Sequence, residues 1–165
     1  MTLSTGFPPV EGSDASILIL GSLPSQRSIA EQQYYGHPQN AFWRTMRELF
    51  GVTGDYRERC RQLVELRIAL WDVLESSFRP GSMDADISLS EAKPNDFTAF
   101  FDVHQSIRLI VFNGRKAEEL FGRFVVPSGI ADNIPRVALP STSPAYASLS
   151  FSGKVAAWRD ALVGG

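Results

Sequence analysis

Short apolar runs alternate with helical patterns along this chain, and this alternation constrains the fold more than any other feature of the sequence. A short apolar run that ends at turn residues is typical of a strand buried on both faces of a parallel sheet. The runs are residues 17–20, 68–73, 109–112 and 137–139. Alternating strands and helices predict a parallel sheet covered by helices. We therefore expect an α/β fold, a three-layer α/β/α sandwich around a mostly parallel four-stranded sheet.

The helical patterns lie between and after these runs. Apolar residues recur at helical spacing in residues 42–50, 97–104, 117–124 and 151–162. Gly51 is expected to end the first of these helices, and Pro38 is expected in its first turn, where a missing N–H costs little. Residues 75–94 have no such pattern and are expected to form an irregular insert with a functional role.

Size and composition predict one globular domain over residues 1–165. Hydrophobic residues make up 44% of the chain, charged residues 21%, and the net charge is −2. The start of the chain lacks the pattern of a secretory signal, and Cys60 has no second cysteine to pair with. No apolar run approaches the ~20 residues that cross a bilayer. We expect a cytoplasmic monomer with no membrane segment, no metal and no cofactor.

The loop after the first strand, which begins at Gly21, is the first candidate site. Parallel sheets place ligands at the carboxyl ends of their strands. The loop has neither the glycine spacing of a dinucleotide fingerprint nor the lysine of a P-loop. Its hydroxyls, on Ser22, Ser25 and Ser28, either hold a phosphate or a polar base edge or form turns. His37 either hydrogen-bonds at the helix start or contacts a ligand.

Asn40 lies beside this loop and close to Tyr35 and His37. Helical spacing places it away from the apolar face, on a stripe with Arg44 and Arg47. A carboxamide both donates and accepts hydrogen bonds, so it suits the recognition of a heterocyclic base or the positioning of a water molecule.

Two further loops leave strand ends and are expected to share the same cleft. The loop after the last strand carries Ser141, Thr142, Ser143 and Tyr146 between prolines. Its hydroxyls could hold phosphates and its tyrosine could stack on bases, or the segment could be a rigid turn with a surface tyrosine. Asn113, which is followed by a glycine, is either part of a turn or a hydrogen-bonding group in the cleft.

Together these motifs resemble the uracil-DNA glycosylase superfamily, and most closely its hypoxanthine-DNA (deoxyinosine) glycosylase branch. The similarity covers most of the chain and rests on three motifs in the same order. They are Gly-Ser-x-Pro at 21–24, Tyr-Tyr-x-His-Pro-x-Asn at 34–40, and Leu-Pro-Ser-Thr-Ser-Pro-Ala at 139–145. In the mismatch-specific branch the first motif carries an Asn that positions the attacking water, and Leu23 stands there in this chain.

The resemblance implies a DNA base-excision enzyme that flips a deaminated base, hypoxanthine foremost, and hydrolyses its N-glycosidic bond without lyase activity. It implies that Asn40 is catalytic and that Tyr35 stacks on the flipped base. The edge of the base would contact the backbone of Gly21 and Ser22, and Asn113. Flanking phosphates would contact the hydroxyls of the two serine-containing loops, while Tyr146 would fill the vacated position in the duplex. The alternatives are a non-catalytic module that binds damaged DNA or a nucleotide, and a hydrolase of free nucleosides.

Overall fold

A four-stranded parallel sheet forms the centre of the computed structural model, which describes residues 3–79, 84 and 87–163. The strands in the described ranges are β1 Leu3–Thr5, β2 Ile17–Gly21, β3 Ile68–Asp72, β4 Leu74–Phe78, β5 Lys93–Pro94, β6 Leu109–Asn113 and β7 Arg136–Leu139. The central sheet has the order β3-β2-β6-β7, and its neighbouring strands are all parallel. The predicted α/β fold and its four core strands are confirmed.

The helices of the described residues are α1 Gln26–Glu31, α2 Phe42–Phe50, α3 Tyr56–Glu65, α4 Phe97–Val103, α5 Arg115–Phe124 and α6 Phe151–Leu162. Each predicted helical pattern falls on one of them. α2 ends at Gly51, whose φ of 71° is the left-handed conformation that glycine adopts readily. The buried residues of α2 and α5 belong to one apolar core with the central strands. Among the described residues, no helix is long and apolar enough to cross a membrane.

The predicted start of α2 is wrong. Pro38 and Asn40 precede the helix, which begins at Phe42, and they lie in a turn closed by a hydrogen bond from the Asn40 N–H to the His37 carbonyl. Asn40 is therefore not on a helical stripe with Arg44 and Arg47, although both arginines are exposed on α2 as predicted. Propensity alone could not locate this boundary, because the side chain of Asn40 competes with the helix for backbone hydrogen bonds.

A second, smaller sheet occupies part of the segment that was expected to be irregular. β1, β4 and β5 form an antiparallel sheet in the order β1-β4-β5. β4 begins two residues after β3 ends, and the N–H groups of Val73 and Leu74 donate to the carbonyls of Gly21 and Ser22. The Pro80-Gly81-Ser82 part of the insert lies outside the described residues. The insert therefore begins at the end of β3, next to the first residues of the loop after β2.

Candidate active site

A cavity of about 590 Å³ opens at the carboxyl ends of β2 and β6. β2 lies between β3 and β6, so the chain turns to opposite sides of β2, and open α/β sheets bind ligands at such a switch point. The cavity is lined by residues from the loops after β2, β6 and β7 and from the end of β3. The lining includes Gly21, Ser22, Ser25, Ser28, Tyr35, Asn40, Asp72, Arg79, Asp84, Asn113, Ser141, Thr142, Ser143 and Tyr146.

Asn113 and Thr142 join two of these loops. The Asn113 Nδ2 donates to the Thr142 Oγ1, and the Thr142 N–H donates to the Asn113 Oδ1, both at 2.9 Å. The Thr142 carbonyl accepts the N–H of Ala41, also at 2.9 Å. Thr142 is 1% exposed. The Thr142 hydroxyl is therefore buried and accepts from Asn113, and its predicted phosphate contact stays a prediction.

The hydrogen bonds of Thr142 lead directly to Asn40, the predicted catalytic residue. Asn40 precedes Ala41, and its Oδ1 accepts the N–H of Phe42 at 2.9 Å. This hydrogen bond satisfies one of the N–H groups that a helix leaves unpaired at its start. No described residue accepts from the Asn40 Nδ2. Its NH₂ group therefore remains available as a donor at the cavity wall.

Tyr35 separates the main cavity from a smaller one and has an uncommon backbone conformation. Its φ of 54° is in the left-handed region, which residues other than glycine rarely adopt. Its ring stacks on Phe42 with centroids 4.3 Å apart and an interplanar angle of 26°. Since Phe42 covers one face of the ring, at most the other face can stack on a base. Strained backbone of this kind is found at functional sites.

Asp72, at the end of β3, is a buried acid at this cavity. It is 4% exposed, and its Oδ2 has no hydrogen-bond partner among the described residues. The Tyr35 Oη is also buried, and no described residue lies at hydrogen-bond distance with suitable geometry. A Cβ on Gly21 would lie 2.5 Å from the Asp72 Oδ1 and 3.0 Å from the Tyr35 Oη. Only glycine therefore allows these two groups to approach the end of β2.

The pKa of Asp72 is raised from 3.8 to about 7, first by burial and then by the charge of Asp84, against the opposing charge of Arg79. Burial and the charge of Asp72 also raise the pKa of Tyr35, which therefore stays protonated at neutral pH. Asp72 consequently gains or loses its proton near the pH of the cell.

A second set of polar contacts holds the first loop. The Ser22 Oγ donates to the Asp84 Oδ1 at 2.5 Å, and the buried Arg79 guanidinium donates to the Pro24 carbonyl. The carbonyls of Gly21 and Ser22 accept from the N–H groups of Val73 and Leu74. The contact between this backbone and a base stays a prediction.

Ser25 and Ser28 line the cavity, but their hydroxyls have structural partners. The Ser25 Oγ caps α1 by accepting the N–H of Ser28 at 3.2 Å. Ser28 is 3% exposed, and its Oγ accepts the N–H of Gly36 at 3.0 Å. The hydroxyl of Ser28 fixes the segment that carries Tyr35, and its contact with a DNA phosphate stays a prediction.

The loop after β7 presents Ser141, Ser143 and Tyr146 at the cavity. Tyr146 is 41% exposed. Behind it, the Nζ of Lys154 donates to the Ser143 carbonyl at 3.2 Å and lies 5.4 Å from the centre of the Tyr146 ring. Lys154 is 5% exposed, and burial lowers the pKa of its amine. A buried cation therefore supports the one large exposed aromatic side chain of this loop.

His37 lies outside the main cavity. It lines the smaller neighbouring pocket of about 280 Å³ together with Arg44 and Arg59, and Tyr35 and Asn40 contribute to both. The His37 Nδ1 accepts the N–H of Gln39 at 3.1 Å. Direct contact between His37 and a base in the main cavity, which the sequence had left open, is not supported by this position.

Sequence reasoning missed Asp72 and Lys154. Asp72 ends the apolar run of β3 as Gly21 ends β2 and Asn113 ends β6, so the strand-end argument could have found it. Lys154 has no such signal. Its contact with Ser143 exists only because α6 packs back beside the loop, which local sequence does not reveal.

The comparisons with known proteins agree with this geometry. The model of the uracil DNA glycosylase superfamily matches residues 8–162. The chain belongs to the uracil DNA glycosylase superfamily. Within it, a Methanosarcina acetivorans protein named hypoxanthine DNA glycosylase is 44% identical over 120 residues, which cover 71% of this chain and 75% of that protein. A protein of the same name from Methanosarcina barkeri is 41% identical over 117 residues, or 69% and 73% of the two chains.

A solved structure from the superfamily is also similar to this chain. It is a solution NMR structure of a Methanosarcina acetivorans protein described as a candidate uracil DNA glycosylase. The two share 39% sequence identity and superpose with a TM-score of 0.76, over 96% of this chain and 98% of the other. The superfamily and fold implied by the three sequence motifs are therefore confirmed.

Proposed function

We propose that this protein is a monofunctional DNA glycosylase of base-excision repair that removes a deaminated base, with hypoxanthine in deoxyinosine as its main substrate. The observation that carries the proposal is the hydrogen bonding of the Asn40 side chain. Its oxygen is fixed by the Phe42 N–H, and its NH₂ group is available at an open cavity of about 590 Å³. The two relatives named hypoxanthine DNA glycosylase direct the proposal towards hypoxanthine.

The reaction begins with extrusion of the base into the cavity, whose volume is in the range typical of small-molecule sites. As the bond between C1′ and N9 breaks, its electron pair leaves with the base and the sugar becomes oxocarbenium-like. A water oxygen then bonds to C1′, and the proton that this water loses ends on the departing base. The Asn40 NH₂ either holds this water or donates to the departing base, and a fixed donor is most effective where charge develops.

DNA contacts other than those to the flipped base come from two surfaces. Ser141 and Ser143 are partly exposed in the loop after β7 and would hold phosphates near the flipped nucleotide, and Tyr146 would enter the vacated stack. Arg44 and Arg59 line the pocket beside Tyr35 and would attract the phosphates of the same strand. We propose that the enzyme acts as a monomer on DNA in the cytoplasm.

The monofunctional assignment concerns Lys154 in particular. Neither loop contains a lysine, but the Lys154 Nζ, on α6, contacts the Ser143 carbonyl. A lyase needs an amine that attacks C1′, but Lys154 is 5% exposed and does not line the cavity. Borohydride should therefore trap no covalent complex with inosine DNA, and a trapped complex that Lys154→Gln abolishes would make the enzyme bifunctional.

Excision should be measured on duplexes that contain inosine, xanthine or uracil, with free inosine as the control substrate. We expect abasic sites in the inosine duplex and no hydrolysis of free inosine. Binding without excision would favour the non-catalytic module, which Leu23 at the water-positioning place of the first loop supports. Hydrolysis of free inosine alone would instead favour a nucleoside hydrolase.

A further inference from the structure

The Asp72 Oδ2 is a buried polar atom without a partner among the described residues, at the wall of an open cavity. Buried polar atoms nearly always have hydrogen-bond partners, and an unpartnered one calls for an explanation. Gly21 contributes no side chain that could pair with Asp72. A ligand in the cavity would supply the partner that no described residue gives.

The position of Asp72 suits a ligand that is itself planar and polar at one edge. It ends the strand paired with β2, and Gly21 is its register partner at the mouth of the cavity. The ionisable or charged groups near it are Tyr34, Tyr35, Asp84 and Arg79. Arg79 donates to the Pro24 carbonyl, and Asp84 accepts from Ser22, so both have partners in the first loop.

We propose that Asp72, as a neutral carboxylic acid, binds the lactam edge of the flipped base, with one oxygen accepting the base N1–H and the protonated oxygen donating to O6. This inference rests on the proposed function and assigns base recognition within that site to a residue that sequence reasoning missed. A neutral carboxyl has one donor and one acceptor, the complement of a lactam. The ionised form only accepts, and it would repel the lone pairs of O6.

The ionisation of Asp72 supports this arrangement. Burial and the charge of Asp84 together raise its pKa to about 7 against the charge of Arg79, so about half of the protein holds the proton at neutral pH. No covalent step is involved, and the proton stays on Asp72 throughout base binding. Asp72 is thus a specificity residue, and Asn40 remains the residue assigned to the hydrolysis itself.

The test compares wild type with Asp72→Asn and Asp72→Ala between pH 5.5 and 8.5. Asparagine has a donor and an acceptor that do not titrate. The wild-type single-turnover rate on inosine DNA should fall above pH 7 by up to tenfold per pH unit, as expected for loss of one proton. Asp72→Asn should stay within about threefold of the wild-type rate at pH 6.5 and lose this decline. Asp72→Ala should be slower by about 10²-fold. A decline that persists in Asp72→Asn would overturn the proposal.

A second readout separates this inference from the proposed function. Binding of free hypoxanthine, followed by NMR, needs no excision. Its affinity for wild type should weaken above pH 7, and its affinity for Asp72→Asn should not. If wild type fails to excise any base but binds hypoxanthine in this way, the proposed function fails and the Asp72 assignment stands. If hypoxanthine binds wild type and Asp72→Asn with the same pH dependence, the Asp72 assignment fails even where excision is observed. It also fails if hypoxanthine binds neither protein.

Discussion

The side chain of Asn113 forms two 2.9 Å hydrogen bonds with Thr142, one to its hydroxyl and one from its backbone N–H. These bonds join the end of β6 to the loop after β7. Since the Thr142 carbonyl also accepts the N–H of Ala41, the same residue fixes the segment that carries Asn40. Three loops that are far apart in the sequence therefore meet at one buried threonine.

This relationship predicts the effect of Thr142→Val. Valine keeps the shape of threonine but removes the acceptor of the Asn113 Nδ2, which then stays buried without a partner. The free energy of unfolding should fall by about 1–3 kcal/mol in urea denaturation. Ser148→Ala, which removes an exposed hydroxyl at the far end of the same loop, should leave the stability unchanged. Equal stability of both variants and wild type would contradict the buried role of Thr142.

Asn40 has two roles in this account, and its variants separate them. Asn40→Ala removes both the acceptor for the Phe42 N–H and the NH₂ donor. It should lower the stability by about 1 kcal/mol, as loss of a hydrogen bond does, and slow single-turnover inosine excision by about 10²-fold. A serine hydroxyl can accept the same hydrogen bond from the N–H two residues on. Asn40→Ser should therefore keep the stability of wild type but not its rate.

A variant Asn40→Ser that excises hypoxanthine at the wild-type rate would remove Asn40 from the chemistry and leave it only a structural role. The circular dichroism melting curve and the excision rate of each variant are the two measurements needed. The stability loss in Asn40→Ala could not be foreseen from the sequence, because a residue on an exposed helical stripe would lack the hydrogen bond to Phe42.

Which features of the structure can be predicted from the sequence depends on the kind of interaction that forms them. The strands β2, β3 and β6 were predicted to within one residue, because continuous apolar runs report burial on both faces of a sheet. The hydrogen bonds of the Ser28 and Thr142 hydroxyls were not predicted. A hydroxyl in a loop looks the same in the sequence whether it faces solvent or the backbone of a distant segment. The small sheet was missed because its strands are short and β4 is only partly apolar.

Asp72 should also make the stability depend on pH. Its pKa of about 7 in the folded protein lies above the ordinary value of 3.8, so the folded state holds a proton that the unfolded state releases. The stabilisation is complete below about pH 4 and is lost as the pH rises through 7. Relative to wild type, Asp72→Asn should gain about 1 kcal/mol per pH unit between pH 4 and 7. Urea denaturation at pH 5 and pH 8 measures this, and a constant difference would show that Asp72 is not shifted.

Tyr146 should affect excision only from duplex DNA, where base flipping leaves a vacated position in the stack. Its side chain is exposed and supported by Lys154, so Tyr146→Ala should not disturb the fold. Excision from duplex inosine DNA should fall by about tenfold or more, as expected for the loss of ~1–3 kcal/mol of stacking. Excision from single-stranded DNA should not change, and Tyr146→Phe should behave as wild type on both. Equal losses on both forms of DNA would exclude insertion into the duplex.

The most direct measurement is the release of free hypoxanthine, quantified by mass spectrometry, from duplex DNA that contains one deoxyinosine, in a single turnover by wild type. The proposed function predicts one hypoxanthine per abasic site and a strand that stays intact until it is treated with alkali. It also predicts loss of this release in Asn40→Ser. A duplex that is bound but from which no base is released would contradict the account.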